Sequence, residues 1–443
     1  MFVRIHLLST TLESNKMVIL RIGKSEPLRG RITIPSDKSI SHRAVMLSSL
    51  AEGRSVITNF SNGADCRSTM NIFKQLGVRI NEIGKKTIEI VSDKILKKSD
   101  EPLDAGNSGT TTRLISGILA GQNFDSQIIG DESLSKRPMK RIILPLTQMG
   151  AKIDSVDNHL PLTIHGQNLH GIVYHSPISS AQVKSSLLLA GLNAEGQTTV
   201  IEPLLSRNHT EIMLKYMGAN VNINGNEVTV SPSVLTARDI EVVGDISSAA
   251  FFITAGLIVP GSDFVIKNVG INETRTGILD VVQRMGGGVN IINQRVVSGE
   301  ECADIHVKYT DNLKGCVIEG NDIPRLIDEL PVIAVLASQA DGETIVKNAE
   351  DLRNKEADRI TCLVTELKKI GVDIEETPDG FIVNGKSKCM LKGDAELQTY
   401  NDHRLAMSFY IAGLVCEKEI AIDGFEWTNI SFPEFEELMN QLK

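Results

Sequence analysis

The chain has 443 residues, 46 Lys plus Arg against 55 Asp plus Glu, a formal net charge of −9, 41% apolar and 4% aromatic residues. This is globular composition, too apolar for disorder and too poor in Pro and Gly for a fibre. The acidic balance and the shortage of stacking rings exclude a general nucleic-acid binder, and no stretch reaches the ~18 apolar residues of a membrane-spanning helix.

The length predicts two or three domains. Residues 1–16 carry a weak apolar run broken by His6, a poor signal peptide, and read as a non-essential extension. A strand-like MVILRI starts at Met17. From there the chain repeats itself with a period of roughly 70 residues, six times. Each repeat opens with a helix-length apolar run ending in Gly, at 53, 121, 196, 261, 342 and 413, followed by a strand such as SVITNF, SQIIG or DFVIKNV. An amphipathic helix comes next, running through Gly77, Gly150, Gly218, Gly286 or Gly371 into another strand. Gly just past a helix is the left-handed C-cap signal. The predicted unit is helix, strand, helix, strand. The sixth unit stops after FPEFEELMNQLK without its last strand, and Val18–Ile22 is spare to complete it.

The expected fold is therefore α/β (α+β), two lobes of three units each. One lobe spans 36–244; the other joins 17–35 to 245–443. The chain crosses near Pro35–Asp37 and near Gly244–Asp245. A ligand cleft is expected between the lobes.

The opening helices begin with polar, cationic or glycine-rich clusters: SDKSISHR at 36–43, AGNSGTTTR at 105–113, SSAQVKSS at 179–186, GDISSAA at 244–250, IDELP at 327–331 and YNDHR at 400–404. Helix N-termini expose unpaired N–H groups and suit anions. Lys38, Ser39 and Arg43 are a candidate oxyanion clamp, and Gly106 and Gly109 permit close backbone approach ahead of Arg113. SLSKRPMKR at 133–141 sets four cations around Pro138, and DLRNKEADR at 351–359 puts an acid, Glu356, among bases. Each cluster also reads as a capped helix or a solvated charged face. Asp328, ahead of a fully apolar helix, is the best general-base candidate. His42, His209 and His403 lie in these clusters. No HExxH, GxGxxG, P-loop or GxSxG motif occurs, so metal, nucleotide-fold and serine-hydrolase readings are unsupported. Six cysteines, at 66, 302, 316, 362, 389 and 416, lack zinc or redox spacing and read as reduced thiols in a cytoplasmic protein.

In this order SDKSISHR, GNSGTTTR, SKRPMKR, SAQVKS, NKEADR and YNDHR resemble the 5-enolpyruvylshikimate-3-phosphate synthases (3-phosphoshikimate 1-carboxyvinyltransferases), over about Leu28 to Glu436. The resemblance implies six α/β units in two lobes, an inside-out α/β barrel that closes over its substrates. It implies transfer of the enolpyruvyl group of phosphoenolpyruvate to shikimate 3-phosphate, with no cofactor and no metal. By resemblance Lys38, Ser39, Arg43, Ser180, Ala181, Gln182, Arg207, Asp328 and Lys355 bind shikimate 3-phosphate. Lys38, Gly109, Arg137, Gln182, Arg359 and Arg404 hold phosphoenolpyruvate. Asp328 is the base for the attacking 5-hydroxyl, and Glu356 with Lys38 moves the proton at the methylene carbon. SAQVK, RNHTE at 207–211 and NETR at 272–275 resemble the subgroup tolerant of the inhibitor glyphosate. One departure is Ile430 ahead of Ser431-Phe432-Pro433, where some members carry Lys. A monomer is expected. The alternatives are a transferase of the same reaction type acting on UDP-N-acetylglucosamine, which typically uses a loop cysteine as acid, and a non-catalytic repeat scaffold binding an anion. Cys66 and Cys302 lie outside the cationic motifs, and a scaffold leaves Asp328 and the Lys355/Glu356 pairing without a role.

Overall fold

In the computed structural model, residues 19–443 are described; the 1–16 extension and the first residues of the MVILRI strand lie outside them. The six apolar runs are helices: Lys38–Leu50, Gly109–Ala120, Ala181–Gly191, Ile246–Ile258, Leu330–Ser338 and His403–Gly413. Most are buried almost all round, as expected for helices apolar on every face. They pack on one another closely enough that a Cβ on Gly117 would collide with the Ser186 carbonyl oxygen. The sheets lie outside them, and their strands alternate buried and exposed residues, as in Thr87–Asp93 and His159–His165.

Among the described residues the strands form six separate sheets, and none closes into a barrel. The repeat is longer than the predicted unit. Each amphipathic helix of the first five units runs into a hairpin of two strands, for example Lys152–Val156 with His159–His165. A short strand ahead of the next opening helix pairs parallel to the unit's first strand, as Leu103–Asp104 does with Ser126–Ile129. Five hairpin glycine caps behave as their sequence predicts. Gly77, Gly150, Gly218, Gly286 and Gly371 have φ of 87°, 95°, 90°, 80° and 90°. In each case the next residue's amide bonds the carbonyl five residues back, such as Val78 to Phe73 at 3.0 Å. That is the bond pattern of a Schellman cap, and the positive φ is why the residue is Gly. After the opening helices the rule is looser: Gly121 has φ −92°, Gly413 is still helical and Gly53 lies inside the strand Ala51–Thr58.

In the sixth sheet Leu20–Ile22 pairs antiparallel with Ile420–Asp423, so the N-terminal strand completes the unit left open at the C-terminus. Buried apolar side chains gather into two cores. One draws on residues 40–243 together with Cys302; the other draws on 22–34 and 246–442. The two crossings between them run side by side, with the Asp37 amide bonded to the Val243 carbonyl at 2.8 Å and the Asp245 amide to the Pro35 carbonyl at 2.9 Å.

Candidate active site

The helix openings converge. A cavity of about 660 Å³ between the two cores is lined by residues from the starts of the opening helices and from the loops beside them. Local capping explains the directions. Asp37, Ser108, Ser180, Asp245 and Asp402 each accept a backbone N–H of the first turn they precede, which satisfies one unpaired donor of each helix and fixes where it starts. The helix Leu330–Ser338 differs: Glu329 precedes it without a side-chain cap bond. Asp328 is therefore free of a capping role and lines the cavity.

Of the sequence-predicted site residues, Lys38, Ser39, Gly109, Arg137, Ser180, Ala181, Gln182, Arg207, Asp328, Lys355, Glu356, Arg359 and Arg404 all line this one cavity. Arg43 does not. One turn below Ser39, its guanidinium is spent on Thr210 Oγ1 at 2.7 Å, the Ser39 carbonyl at 2.9 Å and Ser185 Oγ at 2.9 Å. His403 lines the cavity, whereas His42 and His209 are buried away from it. The DLRNKEADR segment is not one helix. Glu350–Asn354 is a 3-10 turn, and the next α-helix begins at Arg359. Lys355 and Glu356 sit on the irregular link between, which turns both into the cavity. In SLSKRPMKR, only Arg137 and Arg141 reach the cavity, and Lys136 pairs outside with Glu132.

Nine cationic and six acidic side chains line the cavity, so a protein with a charge of −9 keeps a positive interior. Asp328 is the hub. Arg207 Nη2 lies 2.6 Å from its Oδ2, Arg359 Nη1 3.6 Å from Oδ1, and Arg404 Nη2 3.8 Å from Oδ2. Burial alone would raise the Asp328 carboxyl, but Arg404, Arg207, Lys355 and Arg359 outweigh it and hold it well below the usual carboxylate range. Its neighbour Glu329 goes the other way, pushed up by burial and by the Asp328 charge. Glu356 is likewise held low against burial by Arg359, whose Nη2 is 2.6 Å away, and by His403 and Arg137. Lys38 stays charged because Asp65, 3.1 Å from its Nζ, and Glu356 outweigh burial.

The sequence reading left several cavity groups unassigned. Arg113 and Arg141 both donate to Gln182 Oε1, at 2.9 and 3.4 Å. A Cβ on Gly109 would come within 2.7 Å of Arg113 Nη1 and would push that guanidinium aside. Asn107 receives Arg137 at 3.1 Å. Arg141 was legible in principle as the last cation of SLSKRPMKR; Asp65 carries no local signal, and Arg275 was visible only as the end of NETR. Ile430 is not among the cavity residues; its carbonyl faces Gly63, and nearby Glu434 pairs with Lys86 at 2.9 Å.

Two buried histidines make the fold acid-sensitive. Burial pushes His42 down to about 3 and His403 down to about 4. Below pH 6.5 the unfolded chain takes up these protons and the folded one does not, so stability falls with pH. We expect the unfolding free energy to drop between pH 6.5 and 4.5, by up to about 1.4 kcal/mol per pH unit for each histidine. A flat denaturant-unfolding series across that window would contradict it.

Fold and site together define a two-lobed α/β protein that gathers helix N-termini and cations around an interlobe cavity, an arrangement suited to polyanionic substrates. A family model for EPSP synthase (3-phosphoshikimate 1-carboxyvinyltransferase) matches residues 22–439. A 3-phosphoshikimate 1-carboxyvinyltransferase of Thermoanaerobacter sp. (strain X514) is 50% identical over 96% of this chain and 100% of its own length, and that of Endomicrobium trichonymphae is 49% identical over 96% and 99%. The solved EPSP synthase of Acinetobacter baumannii superposes with a TM-score of 0.87 at 42% identity, covering 96% of this chain and 98% of the other. The enolpyruvyl transferase NikO of Streptomyces tendae shares the fold, with a TM-score of 0.79 at 17% identity over 96% and 97% of the two chains. The chain belongs to the EPSP synthase family, a family of transferases.

Proposed function

We propose that this chain transfers the enolpyruvyl group of phosphoenolpyruvate to the 5-hydroxyl of shikimate 3-phosphate and releases phosphate through a tetrahedral intermediate, a step of aromatic amino-acid biosynthesis. The observation that carries the residue roles is the meeting of Asp328, Glu356 and Lys38 in one cavity rich in cations. Ser39, Ser180, Ala181, Gln182, Arg207 and Lys355 hold shikimate 3-phosphate. Gly109, Arg137, Arg359 and Arg404 hold phosphoenolpyruvate, with Lys38 and Gln182 reaching both. Arg43 acts from beneath, by bonding the Ser39 carbonyl. Asp328 takes the proton of the 5-hydroxyl. In the free protein its carboxyl is too acidic to be a strong base. Two bound polyanions offset the surrounding guanidinium charge and raise it toward working range. Glu356 and Lys38 deliver and recover the proton at the methylene carbon, and the fixed cations stabilise charge in the intermediate without reorganising.

The lobes, 17–35 with 245–443 and 36–244, close over the substrates. Arg207 to Asp328 at 2.6 Å and Arg137 to Glu356 at 3.9 Å are ion pairs between the two cores. Closure excludes water from a reactive intermediate. Glyphosate competes at the phosphoenolpyruvate subsite, and the resemblance of SAQVK, RNHTE and NETR to the tolerant subgroup supports a tolerant enzyme. In this reading the protein works as a cytoplasmic monomer.

The test is phosphate release on mixing protein, shikimate 3-phosphate and phosphoenolpyruvate without added metal. Release is expected with shikimate 3-phosphate and not with UDP-N-acetylglucosamine as acceptor; the reverse outcome would overturn the reading. The cavity disfavours the UDP-sugar alternative further, since Cys66 is fully buried with its thiol pushed up by burial and Asp65.

A further inference from the structure

Beneath the cavity floor lies a buried charge cluster that none of the roles above uses. Lys184 sits on the helix Ala181–Gly191 among leucines, fully buried. A lysine is almost never so placed without partners. It has three: Lys184 Nζ is 2.8 Å from Glu202 Oε2 and 2.8 Å from Glu211 Oε1, both buried as well, and it donates to the Ser206 carbonyl at 3.3 Å. The two acids are not equivalent. Glu211 Oε1 and Oε2 accept nothing beyond the lysine contact. Glu202 is saturated. Its Oε1 accepts the Ser180 amide at 2.9 Å, and its Oε2 accepts the Ser206 amide at 3.2 Å and Ser206 Oγ at 2.8 Å. Ser180 caps the helix whose first turn carries Ala181 and Gln182, and Ser206 directly precedes Arg207. One carboxylate thus ties together two segments, distant in sequence, that face the same part of the cavity. Its own backbone is anchored by Asn226, which accepts the Glu202 amide at 3.1 Å and donates its side-chain amide to the Glu202 carbonyl.

We propose that Glu202 is a positioning residue for the shikimate 3-phosphate subsite: it sets the distance between the Ser180 helix start and the Arg207 guanidinium, with the Lys184 ammonium 2.8 Å away as its buried ion-pair partner. The proposal rests on the assignment of Ser180 and Arg207 to that substrate. The physical reason is pre-organisation. A dianionic phosphate gains most from donors already aimed at it, and a loop-borne Arg loses rotamer and backbone freedom on binding unless something fixes its loop first. Only an ionised carboxylate can accept from both segments at once with both oxygens. Glutamine offers a single acceptor oxygen and aspartate a shorter reach.

The experiment compares Glu202→Gln and Glu202→Asp with Glu211→Gln, which removes the other acid of the same buried cluster without touching either segment. Wild-type phosphate release with both substrates is measured first; its absence would defeat the functional reading and leave the variant ratios unread. Given turnover, both Glu202 variants are expected to raise KM for shikimate 3-phosphate about tenfold or more. KM for phosphoenolpyruvate and kcat should stay within about threefold of wild type. Glu211→Gln should lower the melting temperature about as much as the Glu202 variants do, yet leave KM for shikimate 3-phosphate within about twofold. If Glu202→Gln does not fold, Glu202→Asp carries the comparison. Equal KM for shikimate 3-phosphate in all variants, or equal increases in Glu202 and Glu211 variants, would overturn the proposal and leave the cluster as a stability element.

Discussion

Asp328→Asn is expected to lower kcat by about 10²–10⁴-fold, the usual range for losing a positioned general base, while shikimate 3-phosphate binds as well as before or better. The two halves of this result come from one observation. Asp328 is the acid on which Arg207, Arg359 and Arg404 converge. In the empty cavity it occupies cations that the substrate's phosphate must also use, so its charge works against ground-state binding. Asparagine removes that charge, keeps the size and leaves more positive potential for a dianion. What it cannot do is accept the hydroxyl proton. The readouts are kcat from phosphate release and the dissociation constant of shikimate 3-phosphate from calorimetry. A variant that binds poorly yet turns over normally would show that Asp328 is a binding residue and that the base lies elsewhere. The neighbouring Glu329 is no substitute: it is fully screened from the cavity, it accepts Ser247 Oγ, and its carboxyl is pushed up by burial.

The contrast between these adjacent acids marks where sequence stops being informative. Asp328 stood out because a carboxylate ahead of an all-apolar helix is locally odd. The cationic starts of the opening helices and the five Schellman glycines were legible for the same reason: caps are written within four or five residues. The hairpins exceed the predicted helix-strand-helix-strand unit although Asn224-Gly225 and Asp379-Gly380 are strong turn signals, because short strands carry a weaker local periodicity than the amphipathic helices before them. Other features are long-range and leave no local trace. Arg43 looks like a cavity cation until Thr210 and Ser185 claim its guanidinium from another unit. Lys184 is one cation of the polar helix start SSAQVKSS, and nothing local marks it as buried between Glu202 and Glu211. Arg275 sits in NETR beside Glu273, yet its partners come from 238 and 30 residues away.

Arg275 carries the largest expected effect on stability. It is 2% exposed and lies where the chain crosses between the cores. Its Nη1 is 3.0 Å from Asp37 Oδ2 and its Nη2 3.1 Å from Asp245 Oδ1. These aspartates cap the first helix beyond each crossing, Lys38–Leu50 and Ile246–Ile258, and Asp245 also accepts the Lys38 amide at 3.3 Å. Burial would raise the Asp37 carboxyl, but Arg275 and His209 outweigh it and hold it low. Arg275→Met fills similar volume and strands two buried carboxylates beside each other. Breaking a buried pair from one side typically costs about 3–5 kcal/mol, which here corresponds to a fall of roughly 5–15 °C in the melting temperature. The pH dependence has a definite sign. In the wild type the depressed Asp37 contributes stability above the ordinary carboxylate range and loses it as pH falls. In the variant Asp37 loses the guanidinium that held it low while its burial remains, so its carboxyl rises, protonation relieves it, and the gap between variant and wild type should narrow toward acid pH. Asp37→Asn added to Arg275→Met should recover part of the loss for the same reason. An Arg275→Met protein that melts with the wild type at neutral pH would mean that the crossings are held by their backbone bonds alone, and that the two aspartates are satisfied as caps without the guanidinium between them.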